Sequence, residues 1–583
     1  MNTAERQPKS EGDPTVLDRG HGVLLTVVLV IAAVVRVAGL KWGLPNDLHS
    51  FSYHPDESVV LMHSLPAFGG LDVVHGSFLP HFYNYGSLQL EIISFASSVA
   101  SAYHAVGPIN GEHGLDTAAF ASMLLIARWI TVVMGVGTVW ATFAIGRRLW
   151  GPAVGLLAAA TLALTPLHAQ HSHFATVDVP ATFWVTLSLL FAVRALPHPM
   201  RDGEKQSWWP LIVSGLFAGL ATATKYNCAL VIFAPLVAGH IRAWGVTIDG
   251  TRDMRHVARA AAATVSACVV ALVTFLVTCP GAVLERERFL TDLAFEKDHV
   301  YLHPELYFQQ TGPGFSYIVL HNLSAGMGWL ALIAALMGVV YAVWRRERGD
   351  GLLGLFTLAY VVLISFAASR YARYEMPILP VLALWGARFV VDWGRTALTM
   401  RVTSTLYVAA TLGSMAAITA WLIGPMTGVD PRDRTAADII ARNPAPATIG
   451  FATVPWFWTP ALNPYFTLPG PGQWRKFASE TKVPSRLVFD DSVPFNVDML
   501  ARDKPDLVLL SEYEYHDRLR LNDPAAVAFC AYLRQNYTTS WAEVRLPSTS
   551  AASILGMPVR ELPHDMLYTN PITLTYRRNN PAR

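Results

Sequence analysis

The chain has 583 residues, 52% of them hydrophobic and only 15% charged, whereas soluble proteins carry about 25% charged residues. That balance excludes an ordinary soluble domain and requires an integral membrane protein with many spans. The net charge of +2 says nothing about partners, and no nucleic-acid partner is expected; where Lys and Arg sit says more.

Residues 1–20 are polar and are expected to form a cytoplasmic tail. No A-x-A-like site follows the first apolar run, so that run is expected to be retained. It covers residues 21–40, about the 20 needed to cross a bilayer, and ends at Lys41-Trp42-Gly43 with Trp42 at the interface. Residues 41–117 follow as a long outer loop. In it, 58–68 fits an amphipathic helix lying on the membrane, and 86–103, interrupted by Gln89 and Glu91, fits an interfacial segment. Further spans are predicted at 118–145, 152–166, 179–195, 210–223, 227–241, 260–278, 315–343, 352–367, 376–391 and 402–423, making about 11 by the hydropathy criterion. A second outer loop covers 280–315. Arg147-Arg148, Arg201 with Lys205, the loop with Arg242, Arg252, Arg255 and Arg259, the Arg345-to-Arg348 turn, and Arg395 with Arg401 then all fall inside, as the positive-inside bias demands.

Beyond residue 425 the chain is no longer membrane-like. Residues 435–442 and 524–535 read as helices, and 448–454, 506–511 and 540–546 as strands. The alternation predicts a small α/β domain. The Pro- and Trp-rich stretch 455–474 is expected to pack as an ordered loop on the membrane face. The predicted architecture is therefore an α-helical polytopic membrane domain over 21–425 and an extracytoplasmic α/β domain over 426–583.

Topology puts a small set of charged residues on the outer side. Phe51-Ser52-Tyr53-His54-Pro55-Asp56-Glu57 sets two carboxylates after a proline, just past the first span. Such a pair can serve as a general base in a pocket, or merely favour a helix first turn. Asp178 opens a span after three histidines, a place suited to an N-cap or to chemistry. Lys225 sits outside against the positive-inside bias, to snorkel or to meet an anion. Arg370 and Arg373 are three residues apart and could face one pocket on a helical turn, where arginines grip phosphate in two-pronged fashion, or bind bulk anionic lipid. Glu296, Lys297, His299 and His303 cluster before Tyr307, in a loop that either closes over a substrate or is a solvated connection. Asp56, Glu57 and Asp178 are thus the catalytic candidates, and Lys225, Arg370 and Arg373 the candidates for a phosphate. His54, Tyr85, His173 and His299, in the same outer segments, are the substrate-binding candidates.

The four cysteines, Cys228, Cys268, Cys279 and Cys530, form no C-x-x-C pair, so neither a disulfide framework nor a zinc site is expected. His168, His171 and His173 are metal-ligating types at irregular spacing without a fixed acidic partner. A divalent metal stays an open alternative; no other cofactor is expected. No Gly-rich phosphate loop is present, so no nucleotide is expected.

Four short motifs together resemble the C superfamily of polytopic glycosyltransferases, in the branch of protein O-mannosyltransferases and lipid A aminoarabinose transferases. They are His54-Pro55-Asp56-Glu57; Ser172-His173-Phe174-Ala175-Thr176-Val177-Asp178-Val179-Pro180; Gly215 to Thr224-Lys225-Tyr226; and Arg370-Tyr371-Ala372-Arg373-Tyr374 leading to Pro377 and Pro380. Order, spacing and side match from about residue 20 to 395. The resemblance implies a sugar on a polyprenyl phosphate or diphosphate as donor and a glycan, lipid or protein acceptor. It also implies an active site outside the bacterial plasma membrane, Asp56 as base, Asp178 as a second acidic site and Lys225 on the donor phosphate. One departure limits it. The aminoarabinose transferases carry an acidic-basic pair late in the first loop, where this chain reads His81-Phe82-Tyr83-Asn84-Tyr85-Gly86-Ser87. Their donor, their acceptor and any metal held through that acid do not carry over. The alternatives are a lipid or polyol transporter or flippase, which predicts charges at mid-membrane and repeated halves, and a non-catalytic assembly subunit.

Overall fold

The computed structural model describes residues 19–579 apart from 50, 105, 108–109, 112–113, 198–206, 245–246, 249–250, 443–446, 463–485, 544–550 and 555–556. The tail before residue 19, the loop with Arg201 and Lys205, and residues 463–474 of the Pro- and Trp-rich stretch lie outside the described residues.

Among the described residues, eight helices are long and apolar enough to cross a membrane: Arg19–Val37, Thr117–Trp150, Asp178–Ala195, Tyr226–Trp244, Met254–Thr278, Arg348–Ser365, Ala372–Gly394 and Leu398–Arg442. The other three predicted spans are shorter apolar helices: Pro152–Ala163, Trp209–Thr224 and Trp329–Arg345. The first of these ends early, and the last carbonyls of a helix need partners. Arg36 supplies them from the first span. Its guanidinium is buried and lies 3.1 Å from the Ala163 carbonyl and 3.4 Å from that of Leu162, with His168 Nδ1 at 2.7 Å. A charged residue within an apolar helix is thereby satisfied by backbone, which gives it a structural role.

Two sequence expectations are corrected and a third is refined. The span over 315–343 is not continuous: Gly314–Tyr317, a π-helical turn Ile318–Leu323 and Ser324–Met327 lead to Gly328, after which Trp329–Arg345 starts afresh. Gly328 has φ 79°, a conformation cheap only for glycine, and hydropathy reads straight through it. The amphipathic segment over 58–68 does not lie on a surface. It is the helix Pro55–His63 and a 3-10 turn, Pro66–Phe68, with Val60, Leu61 and Met62 buried against Leu90, Ile93, Phe120 and Leu124. The loop 280–315 contains a helix, Arg286–Tyr301.

The C-terminal region forms a five-stranded mixed sheet in the order Arg486–Val488, Thr448–Phe451, Leu507–Ser511, Thr573–Arg578, Tyr537–Glu543. The first two neighbouring pairs are parallel and the last two antiparallel. Leu507–Ser511 is buried at every position, as befits a central strand covered on both faces. The helices Glu512–Arg520 and Pro524–Asn536 pack with it. This agrees with the α/β reading, although the strands Arg486–Val488 and Thr573–Arg578 and the helix Glu512–Arg520 are not among the predicted elements.

Buried polar contacts join this sheet region to the membrane helices. The Trp42 indole N–H donates to Asp430 at 2.8 Å, and the Tyr53 hydroxyl to Asp433 at 2.5 Å. Arg432, wholly buried, pairs with Asp430 and donates to the carbonyls of Phe457 and Tyr568. The loop after the first span is thus clipped to the C-terminal region through Trp42 and Tyr53, and the two enclose a space between them.

Candidate active site

That space is a cavity of about 540 Å³, within the range of small-molecule sites. Its floor is made by the N-terminus of the Pro55–His63 helix, the start of the Asp178–Ala195 helix, the turn at Lys225 and the segment around Arg373. The helix Arg286–Tyr301 and the C-terminal region supply the walls.

Pro55 opens its helix at the position where a missing N–H costs nothing. His54 is the cap, its Nδ1 accepting the Asp56 N–H at 3.3 Å. Asp56 therefore stands in the first turn with its side chain 22% exposed to the cavity, and Arg373 Nη2 lies 3.2 Å from its Oδ2. Arg373 is the hub. Its Nε is 4.0 Å from Asp178 and its Nη1 4.0 Å from Asp565 and 3.4 Å from the Tyr568 hydroxyl, and its guanidinium lies over the Tyr371 ring. Lys225 Nζ lies 2.5 Å from Asp178 Oδ1. Asp178 is the first helical residue and not a side-chain cap; its carboxylate is held by the two cations. Three carboxylates thus surround one arginine and one lysine, all from separate parts of the chain.

Tyr85 and His299 also line the cavity, with Glu296. Burial pushes the Glu296 carboxyl above its usual range, against the pull of His299 and Lys225. His299 Nε2 is 3.3 Å from Glu305, which accepts the Tyr371 hydroxyl at 2.6 Å. The segment 280–315 therefore lines the site, while Lys297 and His303 stay exposed and off the wall. Tyr85 is held by its neighbours: the Tyr226 hydroxyl lies 2.9 Å from the Tyr85 carbonyl and 3.0 Å from that of Tyr83. The next residue, Gly86, packs so tightly that an added Cβ would sit 1.9 Å from the Ala223 carbonyl, two residues from Lys225. Gly86→Ala is expected to cost about 1–3 kcal/mol through overpacking, read as a lowered melting temperature in detergent.

Four expected site residues do not take their expected places. Glu57 is fully buried and points away from the cavity. Its carboxylate receives Arg128 Nε at 2.8 Å and Nη2 at 2.7 Å, the Ser52 hydroxyl at 2.5 Å and the Ala175 N–H at 2.7 Å. Burial raises its pKa, but Arg128 and these hydrogen bonds win and hold it below the usual value. It shapes the loop and is not placed for catalysis. Arg370 turns away as well. Its Nη1 donates to Thr311 Oγ1 at 2.8 Å and the Gly312 carbonyl at 2.7 Å. It and Arg373 do not share a helical face, because it precedes the 3-10 helix Ala372–Ile378. His173 is buried among the carbonyls of Ala38, Ala169 and Gln170 at 2.9–3.1 Å, and burial pushes it down to about 4. His54 is buried between the Phe174 and Tyr568 rings, off the cavity wall. His168, His171 and His173 do not converge, and no group of three or more metal-ligating side chains occurs among the described residues.

Sequence reasoning missed the C-terminal contribution. Asp565 accepts the backbone N–H groups of Ala372 at 3.1 Å and Arg373 at 2.9 Å. Trp456, Trp458, Tyr513 and Tyr568 form an aromatic wall. The available signal is the density of chemistry in Pro563-His564-Asp565-Met566-Leu567-Tyr568 just before a strand.

Residues 115–278 match the family described as dolichyl-phosphate-mannose-protein mannosyltransferase. Among curated proteins, the chain is 23% identical over 363 residues to undecaprenyl phosphate-alpha-4-amino-4-deoxy-L-arabinose arabinosyl transferase 1 of Pseudomonas fluorescens (strain Pf0-1), covering 60% of this chain and 58% of that one. It is 27% identical over 321 residues to the corresponding transferase of Pseudomonas aeruginosa (strain LESB58), covering 53% and 55%. The matched part of the chain thus spans less than two thirds of these relatives. Among solved structures it resembles ArnT from Cupriavidus metallidurans bound to undecaprenyl phosphate, with a TM-score of 0.50 and 15% identity, covering 96% of this chain and 98% of that one. The apolar helices joined to a C-terminal sheet, the family match over residues 115–278 and this likeness give the chain the fold of a multi-pass membrane protein of the polytopic glycosyltransferase type.

Proposed function

We propose that this protein moves a sugar from a polyprenyl-phosphate donor to an acceptor hydroxyl, with inversion, on the extracytoplasmic side of a bacterial plasma membrane. The observation that carries it is the cluster of Asp56, Asp178, Arg373 and Lys225 in one cavity above the apolar helices. The relatives' names, which specify undecaprenyl-phosphate donors, support the donor class.

The chemistry follows from charge. A donor phosphodiester carries one negative charge and leaves as a monoester carrying two. Arg373 and Lys225 stand ready for that developing charge, which preorganised cations stabilise without reorganisation. Before the donor arrives they neutralise Asp56 and Asp178. The phosphate draws on the same cations and leaves Asp56, the more exposed carboxylate, free to accept a proton. The acceptor oxygen then forms its bond to the anomeric carbon as the bond to the phosphate oxygen breaks. Asp56 takes the hydroxyl proton, and the phosphate takes the electron pair. Asp178 keeps Lys225 in place.

The direct test is transfer of labelled sugar from synthetic polyprenyl-phosphate sugars by the purified protein; no turnover with any of them defeats the reading. Lys225→Ala is expected to weaken donor binding about tenfold or more, since a charge-assisted contact contributes about 1.5–3 kcal/mol. Donor titration measures it, and unchanged affinity removes Lys225 from the phosphate. The sidedness predicts that a reporter active only in the cytoplasm, fused after Arg583, stays silent.

A further inference from the structure

A second cavity, of about 570 Å³, lies behind the first and shares a wall with it. The wall is Tyr307 and His564, whose rings stack at 3.6 Å and 12° and which line both spaces. We propose that the second cavity is the acceptor subsite and that it holds a carbohydrate chain. The inference rests on the glycosyl-transfer reading above and supplies the acceptor class that reading leaves open.

The lining chemistry selects the occupant. Tyr307 and Tyr317 offer aromatic faces, and His321, His516, Asp517 and Glu561 offer polar groups. Imidazoles both donate and accept hydrogen bonds and carboxylates accept, which suits a molecule whose hydroxyls do both and whose ring faces are apolar. A phosphate would need free cations. Arg520 is already held by Asp517 at 2.8 Å and by the carbonyls of Gln309 and Tyr307, and two carboxylates stand nearby. An acyl chain would need a lining free of charge, whereas Asp517, Arg520 and Glu561 stand in this one. Placement agrees: the floor is the membrane-side piece Gly314–Met327, and the roof is the C-terminal region. His564 Nδ1 is buried in the shared wall with no hydrogen-bond partner among the described residues. Arg370, absent from the first cavity, braces this one through Thr311. The Tyr307–His564 pair is the layer between this cavity and the one that holds Asp56, so the second cavity holds the body of the carbohydrate chain while its reacting hydroxyl extends past the pair into the first.

Photo-crosslinking in membranes of cells making the full chain tests this without naming the glycan. Gln310→p-benzoylphenylalanine places the probe on the exposed rim of the second cavity, and Phe295→p-benzoylphenylalanine places it in the first. The Gln310 probe is expected to give adducts whose mass and fragments show pentose or hexose units, and Tyr317→Ala is expected to abolish them. Adducts of phospholipid or peptide alone, or none, overturn the proposal. The Phe295 probe reads the other claim separately. Prenyl-phosphate adducts there with no glycan at Gln310 sink only the acceptor subsite. Glycan at Gln310 with no prenyl phosphate at Phe295 sinks the donor assignment.

Discussion

Asp56→Asn is expected to lower sugar transfer by about two to four orders of magnitude, the usual contribution of a positioned general base. The amide keeps the shape of the carboxylate but cannot take the acceptor proton. Folding should survive. The Asp56 side chain is 22% exposed and opens on the cavity, 3.2 Å from Arg373, so an amide of the same shape is accommodated there. Arg373 also keeps Asp178 and Asp565 within 4.0 Å. Donor binding should hold or tighten, since removing a competing carboxylate leaves Arg373 freer for phosphate. The measurement is turnover and donor affinity on one detergent preparation. Near-normal turnover would remove the base, and with it the chemical reason for the cluster.

Glu57→Gln is expected to act on the fold instead. Sequence alone suggests a milder variant than Asp56→Asn if Glu57 only supports the base or binds the acceptor, and small, similar effects for both if the pair merely caps a helix. In the structure Glu57 and Arg128 are both fully buried, and breaking such a pair costs about 3–5 kcal/mol by leaving a charge unmatched. Arg128 also holds the carbonyls of Leu40 and Trp42 at 2.8 and 2.6 Å, so the pair fixes the exit of the first span. Thermal unfolding in detergent should show a large loss for Glu57→Gln. Replacing both residues by leucine should recover part of it but not all, because those two carbonyls lose their donor. The pH dependence has a definite sign. The Glu57 pKa in the folded protein is lowered, so its contribution is full above the unfolded value of about 4.3 and is lost as pH falls through the folded one.

The contrast between these neighbours shows where sequence reading stops. Pro55-Asp56-Glu57 announces a helix start and two acids. Successive helical residues point about 100° apart, so one meets the cavity and the other the core, and nothing local says which. Arg370 and Arg373 repeat the lesson. Three residues apart suggests one face only if the chain between is α-helical, and here Arg370 lies before a 3-10 helix. Gly328 hides a break inside an apolar run for the same reason: hydropathy measures composition, and a break is a matter of backbone angle.

What the sequence determined by itself was whatever depends on composition along the chain. Long apolar runs can hide their backbone polar groups in lipid only as helices, so the membrane class and the approximate places of the helices follow without a structure. The alternation beyond residue 425 gave the α/β region on the same footing. The motifs named Asp56, Asp178, Lys225 and Arg373 because charge at a membrane edge is costly enough to need a reason. Only the tertiary structure decided which charges meet. Asp565 lies nearly two hundred residues after Arg373 and yet accepts its backbone N–H, and Glu57 is drawn out of the site by Arg128. Those pairings depend on how separate helices and the sheet stack, a long-range property that no local pattern encodes.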